Sequence, residues 1–145
     1  MKIERSKVKS YLSEIKRGSL ELKALIDGNE LKPGSIALKA AKYLLIELAE
    51  AMSNLLQHVL VREKGIAVSG YIDTIVKAKE YHLISDGLFE RLKPFFDFRN
   101  SLVHRYWVID DAKLIENILK GRTDFERFID EIETYLGHKN QSFTS

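Results

Sequence analysis

The chain has 145 residues and no cysteine. Disulfides, thiolate metal sites and a cysteine nucleophile are thereby excluded, and stability has to come from packing. Only two prolines occur, and the uncharged runs fall well short of the roughly 18 apolar residues that a membrane span needs, so no transmembrane helix is expected. Neither sign of charge dominates: 23 Lys and Arg face 21 Asp and Glu, a net +2, and no global field demands a nucleic-acid partner. Met1 to Lys7 carries charge but no apolar region or small-residue cleavage site behind it, so secretion is not expected and a cytoplasmic location is. A glycine-rich phosphate loop is missing too, because Gly121-Arg122-Thr123 is a turn before a helix, which sets aside nucleotide binding of the P-loop or Rossmann kind. His58, His82 and His138 stand isolated, with no second ligand at a metal-binding interval, so core or surface roles are expected for each and no metal site.

What is present is a composition 45% hydrophobic and 30% charged, that of one soluble domain with a core of ordinary size. Apolar residues from Ile3 to Ile26 recur at helical spacing and Gly28 offers a stop, with Gly18 an exception inside the pattern. Lys2, Arg5, Lys7, Lys9, Lys16 and Arg17 make this helix basic, which reads first as a solvated face. Ser35 can cap a long, almost uninterrupted apolar helix reaching about Arg62. Its polar exceptions Glu47, Glu50 and Asn54 form one stripe, directed either to solvent or to a buried cation. A short helix over Tyr71–Ala78 follows, its β-branched Ile75 and Val76 leaving a strand conceivable. Ser85 caps the next helix, from Asp86 to about Val103, and Asp110 or Asp111 caps another through Leu119, closed by Gly121. Thr123 to Glu126 reads as a capping box for a final helix that Gly137 stops. The expected fold is all-α, an antiparallel helical bundle spanning residues 1–137, with a polar tail over residues 138–145.

Chemistry concentrates in Phe95 to Trp107. On a helical wheel Leu88, Leu92, Phe95, Leu102 and Val103 share a broad face with Arg99 near its middle. A buried, unpaired guanidinium costs several kcal/mol, so Arg99 has to meet a carboxylate, a cleft or a second subunit. Asn100 and His104, four apart, lie on one flank of the same helix, and Tyr106 follows within reach. Imidazole, guanidinium and carboxamide together suit a small anion such as phosphate. The same residue types also fit a structural role, with Arg99 paired to Glu47 or Glu50 and His104 capping carbonyls at the helix end.

The run Phe98-Arg99-Asn100-Ser101-Leu102-Val103-His104-Arg105-Tyr106 resembles the R-N-x-x-x-H-x-Y signature of HEPN-domain ribonucleases, more narrowly the HepT toxins. The helix from Ile46 to His58, with Glu47, Ala49, Glu50, Ala51 and His58, and Ile109-Asp110 after the motif resemble the same family. The resemblance spans roughly Ala37 to Ile132. It implies a homodimeric helical bundle with the active cleft where the motif helices of two protomers meet, and a metal-independent endoribonuclease without cofactor. It implies further that the chain is the toxin of a type VII HepT/MNT toxin–antitoxin pair. Arg99 and His104 match the catalytic pair of the family, Asn100 the polar position beside the arginine, and Tyr106 the tyrosine that the partner nucleotidyltransferase AMPylates with ATP to silence the toxin. Pro94 departs from the pattern without removing a motif residue. In such an enzyme the RNA 2′-hydroxyl attacks the adjacent phosphorus, His104 moves protons and Arg99 stabilises the charge. The alternatives are a non-catalytic HEPN module that partners a nucleotidyltransferase, and a purely structural dimeric bundle.

Overall fold

The computed structural model describes residues 2–105 and 110–139, except the side chains of residues 102–105 and 138–139. The described residues form six helices: α1 (Arg5–Asp27), α2 (Ile36–Lys64), α3 (Tyr71–Glu80), α4 (Asp86–Arg105), α5 (Asp111–Lys120) and α6 (Asp124–Lys139). The described residues contain no strand, so Ile75 and Val76 are helical as their spacing favours, Ile75 being fully buried.

The centre of the bundle is α2. Leu45, Leu48, Met52, Leu55 and Leu56 are almost wholly buried, and α1, α3 and α4 all pack on this helix. Its length and composition alone would suffice to cross a membrane, since an 18-residue window reaches a mean hydropathy of 1.3. Of that window 61% is buried inside the bundle, so a core position accounts for the apolarity without a bilayer. Glu4 reaches Arg62 while Gly18 lies against Leu48, and these two contacts fix α1 and α2 as antiparallel. Gly18 is a close-approach site: a Cβ there would come within 2.9 Å of Leu48 Cδ2. The residue that weakened the helical pattern of α1 is what lets α1 and α2 meet.

Sequence-encoded caps fix most boundaries. The Ser35 hydroxyl accepts from Leu38 N–H at 3.0 Å, and Ser85 Oγ from Leu88 N–H at 3.1 Å. At the other end of α2, Gly65 adopts φ 66° and Ile66 N–H returns to Leu60 O at 3.0 Å, a left-handed stop that favours glycine. Of the two candidate caps for α5, Asp110 takes the role by accepting from Lys113 N–H at 3.2 Å. Asp111 instead accepts from Gly34 N–H at 3.0 Å and Lys42 Nζ at 2.8 Å, tying α5 to the α1–α2 loop. Gly137 does not stop α6, which continues to Lys139. Gly65 ends its helix in the left-handed region, whereas Gly28 and Gly121 close α1 and α5 at negative φ. Of the expected polar tail, His138 and Lys139 belong to α6, and residues 140–145 lie outside the described residues.

Candidate functional site

The site is built on the second half of α4. This helix buries Leu88, Phe89, Leu92, Phe95, Phe96 and Phe98, a wider apolar surface than the wheel assigns, because α2, α3 and α6 all pack against it. The Phe95 ring meets Phe125 of α6 with 5.2 Å between centroids and a tilt of 47°. Pro94 lies inside the helix with its ring at the exposed side. The helix runs on past Pro94, so the loss of one backbone hydrogen bond is tolerated there. Leu102 and Val103, also expected on the apolar face, have side chains outside the described set.

Arg99 is where the polar chemistry meets this surface. Only 17% of its side chain is exposed, and Nη2 donates to Glu50 Oε2 at 3.2 Å. Of the two carboxylates the sequence offered, Glu50 is the partner. Glu47 lines a cleft of about 260 Å³ between α1 and α2, together with Glu14, Arg17, Glu21, Asn54 and Glu50 itself. The polar stripe of α2 therefore lines one cleft, and Glu50 at its edge also reaches the buried cation. The guanidinium Cζ sits 3.8 Å from the ring centre of Tyr71, the first residue of α3. The Tyr71 hydroxyl donates to the same Glu50 Oε2 at 3.5 Å. Burial raises the Tyr71 pKa above the usual phenol value and the neighbouring Glu50 adds to the rise, against the opposing charge of Arg99. The phenol is thereby kept as a neutral donor.

One atom of this cluster is unsatisfied: Arg99 Nε is buried and has no hydrogen-bond acceptor among the described residues. Leaving a buried donor without a partner costs on the order of 1–3 kcal/mol, and more when its group is charged, so its retention calls for an explanation. Asn100, next in sequence, is exposed on the helix. The backbone of His104 belongs to the same helix one turn beyond Asn100, while its side chain lies outside the described residues. Tyr106 lies wholly outside them. Among the residues named from sequence, Arg99 and Glu50 meet directly.

Tyr71 was not legible as part of the site. It lies on another helix, 28 positions before Arg99, and the one signal for it was that a buried guanidinium needs company. Two of the isolated histidines take structural places. His58 Nε2 accepts from Glu4 N–H at 2.9 Å, and His82 sits in the turn after α3 at φ 62°. Among the described residues, no group of three or more His, Asp and Glu side chains is placed to hold a metal ion.

The fold matches known structures closely in shape and remotely in sequence. A tri-AMPylated HEPN toxin from Shewanella oneidensis, solved in complex with an MNT antitoxin, superposes with a TM-score of 0.78 at 19% identity, covering 88% of this chain and 97% of that one. YutE from Bacillus subtilis, a cytosolic protein of unknown function, gives a TM-score of 0.78 at 18% identity over 95% of this chain and 94% of its own. A toxin–antitoxin complex with AMP-PNP also gives 0.78, at 19% identity, over 89% and 98%. Among curated protein sequences, none matches the chain. Residues 8–132 match the family described as Ribonuclease HepT-like, a span holding all of the Arg99 cluster and the Arg99–Tyr106 motif, and the chain belongs to that HepT-like ribonuclease family.

Proposed function

We propose that this protein is the endoribonuclease toxin of a HepT/MNT toxin–antitoxin pair, acting on RNA in the cytoplasm without a metal. The observation that carries the reading is Arg99: a mostly buried guanidinium with an unused Nε, on the helix that also holds Asn100 and His104. In the proposed reaction the ribose 2′-oxygen bonds to phosphorus as the P–O5′ bond breaks, leaving a 2′,3′-cyclic phosphate and a 5′-hydroxyl. His104 moves the proton, Arg99 stabilises charge on the non-bridging oxygens, and Asn100 orients either group. Each chain supplies one motif histidine while in-line transfer profits from both a base and an acid, so the proposed active unit is a homodimer with two His104 at one cleft.

Cleavage of RNA in EDTA tests the catalytic pair. Arg99→Ala is expected to lose about 10²- to 10³-fold in rate and His104→Ala about 10²- to 10⁴-fold, with both variants folded by circular dichroism. Equal activity in wild type and both variants rejects the assignment.

Control is proposed to run through Tyr106, whose hydroxyl would attack the α-phosphorus of ATP in the partner's active site and release pyrophosphate. The support is the Shewanella relative, solved as a tri-AMPylated toxin with its MNT antitoxin. Incubation with the cognate nucleotidyltransferase and ATP should add AMP to the wild type and not to Tyr106→Phe; undiminished labelling of the variant places the modification elsewhere. A second reading, a non-catalytic HEPN module that partners a nucleotidyltransferase, is favoured by the Glu50–Arg99 ion pair, which gives the arginine a structural occupation. The cleavage assay decides between the two.

A further inference from the structure

We propose that Tyr71 is a positioning residue for Arg99, holding the plane of the guanidinium by its ring face while Glu50 fixes its rotation within that plane. The proposal rests on the ribonuclease reading for its catalytic consequence, and on geometry for its structural one.

Glu50 alone cannot orient the group. It makes one contact, Nη2 to Oε2 at 3.2 Å, and a single hydrogen bond leaves a planar group free to swing about that point. Its side chain is also 44% exposed, so water competes for that contact. The Tyr71 ring supplies the missing constraint: with Cζ 3.8 Å from its centre, the guanidinium rests on a π face, an attraction that grows as water is excluded. The ring is well anchored for the purpose. Tyr71 is partly buried, packs against the core and begins α3, whose Thr74, Ile75 and Ala78 are buried. Its hydroxyl also reaches Glu50 Oε2 at 3.5 Å, so one side chain braces both the cation and the cation's counter-ion.

The arrangement leaves the Nε edge of Arg99 unspent. A phosphate binds a guanidinium best through two parallel N–H bonds in its plane. Fixing that plane before substrate arrives removes a reorientation that would otherwise accompany the chemical step. The hydroxyl is secondary in this scheme and the aromatic face primary. That ordering separates the proposal from a plain packing role, in which any apolar side chain of similar volume would serve.

The test compares Tyr71→Phe, which keeps the face, with Tyr71→Leu, which keeps bulk and loses it. Single-turnover RNA cleavage and the order parameter of the Arg99 Nε–Hε bond by ¹⁵N relaxation are measured on both. Tyr71→Leu is expected to lower kcat by roughly tenfold, with KM little changed and Nε–Hε more mobile. Tyr71→Phe is expected to restore most of the rate and a rigid Nε–Hε. In an Arg99→Lys background, where no plane remains to be held, Tyr71→Leu should cost substantially less.

Full kcat and a rigid Nε–Hε in Tyr71→Leu overturn the proposal. So does a loss in Tyr71→Phe equal to that in Tyr71→Leu, which moves the effect to the hydroxyl. If the wild type cleaves no RNA, the ribonuclease reading falls by itself. The order parameter then decides the positioning claim: mobility in Tyr71→Leu alone upholds it, and rigidity in all variants overturns it. Should Tyr71→Leu fail to fold, Tyr71→Met is held to the same outcomes.

Discussion

His58 joins two helices through a proton it must not carry. Its Nε2 accepts from Glu4 N–H, which only an unprotonated nitrogen can do. Its pKa is lowered by burial first, then by Arg62 and Lys7, with Glu4 opposing. Because the folded-state pKa lies below the unfolded one, the stabilisation is complete above the unfolded value near 6.5 and is lost as pH falls toward the folded value. Urea midpoints measured between pH 7.5 and 5 should therefore decline in the wild type, and decline less in His58→Gln. The carboxylates held low by their partners, Asp111 by Lys42 and the Gly34 N–H among them, lose their contribution only in a more acid range, so the two effects separate on the pH axis. The same contrast between partner and pattern governed how much of the site was legible. Apolar periodicity showed that Arg99 was buried and had to be paired, and spacing narrowed the partner to Glu47 or Glu50. It could not choose between carboxylates one turn apart, because the choice depends on which side of α2 receives α4. Nor could it find Tyr71, because a contact between helices leaves no trace in the period of either one.

Helix ends are where single elements depend on their neighbours. Ser85 caps α4 from its own chain position, but its N–H donates to Glu131 Oε1 at 2.7 Å and its hydroxyl to Oε2 at 2.8 Å, so a carboxylate of α6 sits at the positive end of α4. Ser85→Ala removes the cap and one of these bonds, and is expected to lower the unfolding free energy by about 1 kcal/mol in urea titrations. No change would mean that Glu131 alone sustains the helix start. The starts of α2, α4 and α5 were legible because caps are local: Ser35, Ser85 and Asp110 each act within three residues. The end of α6 was not, because whether a glycine such as Gly137 turns left-handed is decided by what surrounds it. Gly121 makes a related point at the α5–α6 turn, where a Cβ would come within 2.9 Å of the Phe95 ring. The turn there needs glycine for room, a requirement set by α4.

At the scale of the molecule, α2 organises the bundle and the site is assembled from α2 and two helices packed on it, α3 and α4. The proposed dimer would add a fourth element, the partner's motif helix. It predicts that activity per chain falls on dilution through the dimer dissociation range, as followed by sedimentation and RNA cleavage on the same samples. A folded monomer with full activity overturns the shared-cleft proposal. All-α class and bundle architecture were legible from periodicity and from the absence of any convincing strand, whereas the meeting of Glu50, Tyr71 and Arg99 depended on three-dimensional packing.

The anchors of α4 carry a consequence in time. Glu50 and Tyr71 are synthesised before Arg99, but α4 is held in place by Glu131 and by Asp124, whose Oδ1 receives Arg91 Nε at 2.6 Å. Both carboxylates belong to α6, which is synthesised after α4. Chains are made from the N-terminus and domains fold as units, so α4 gains these two anchors only after α6 has been made. Under the ribonuclease reading, the helix that carries the catalytic arginine owes part of its fixing to a segment made after it.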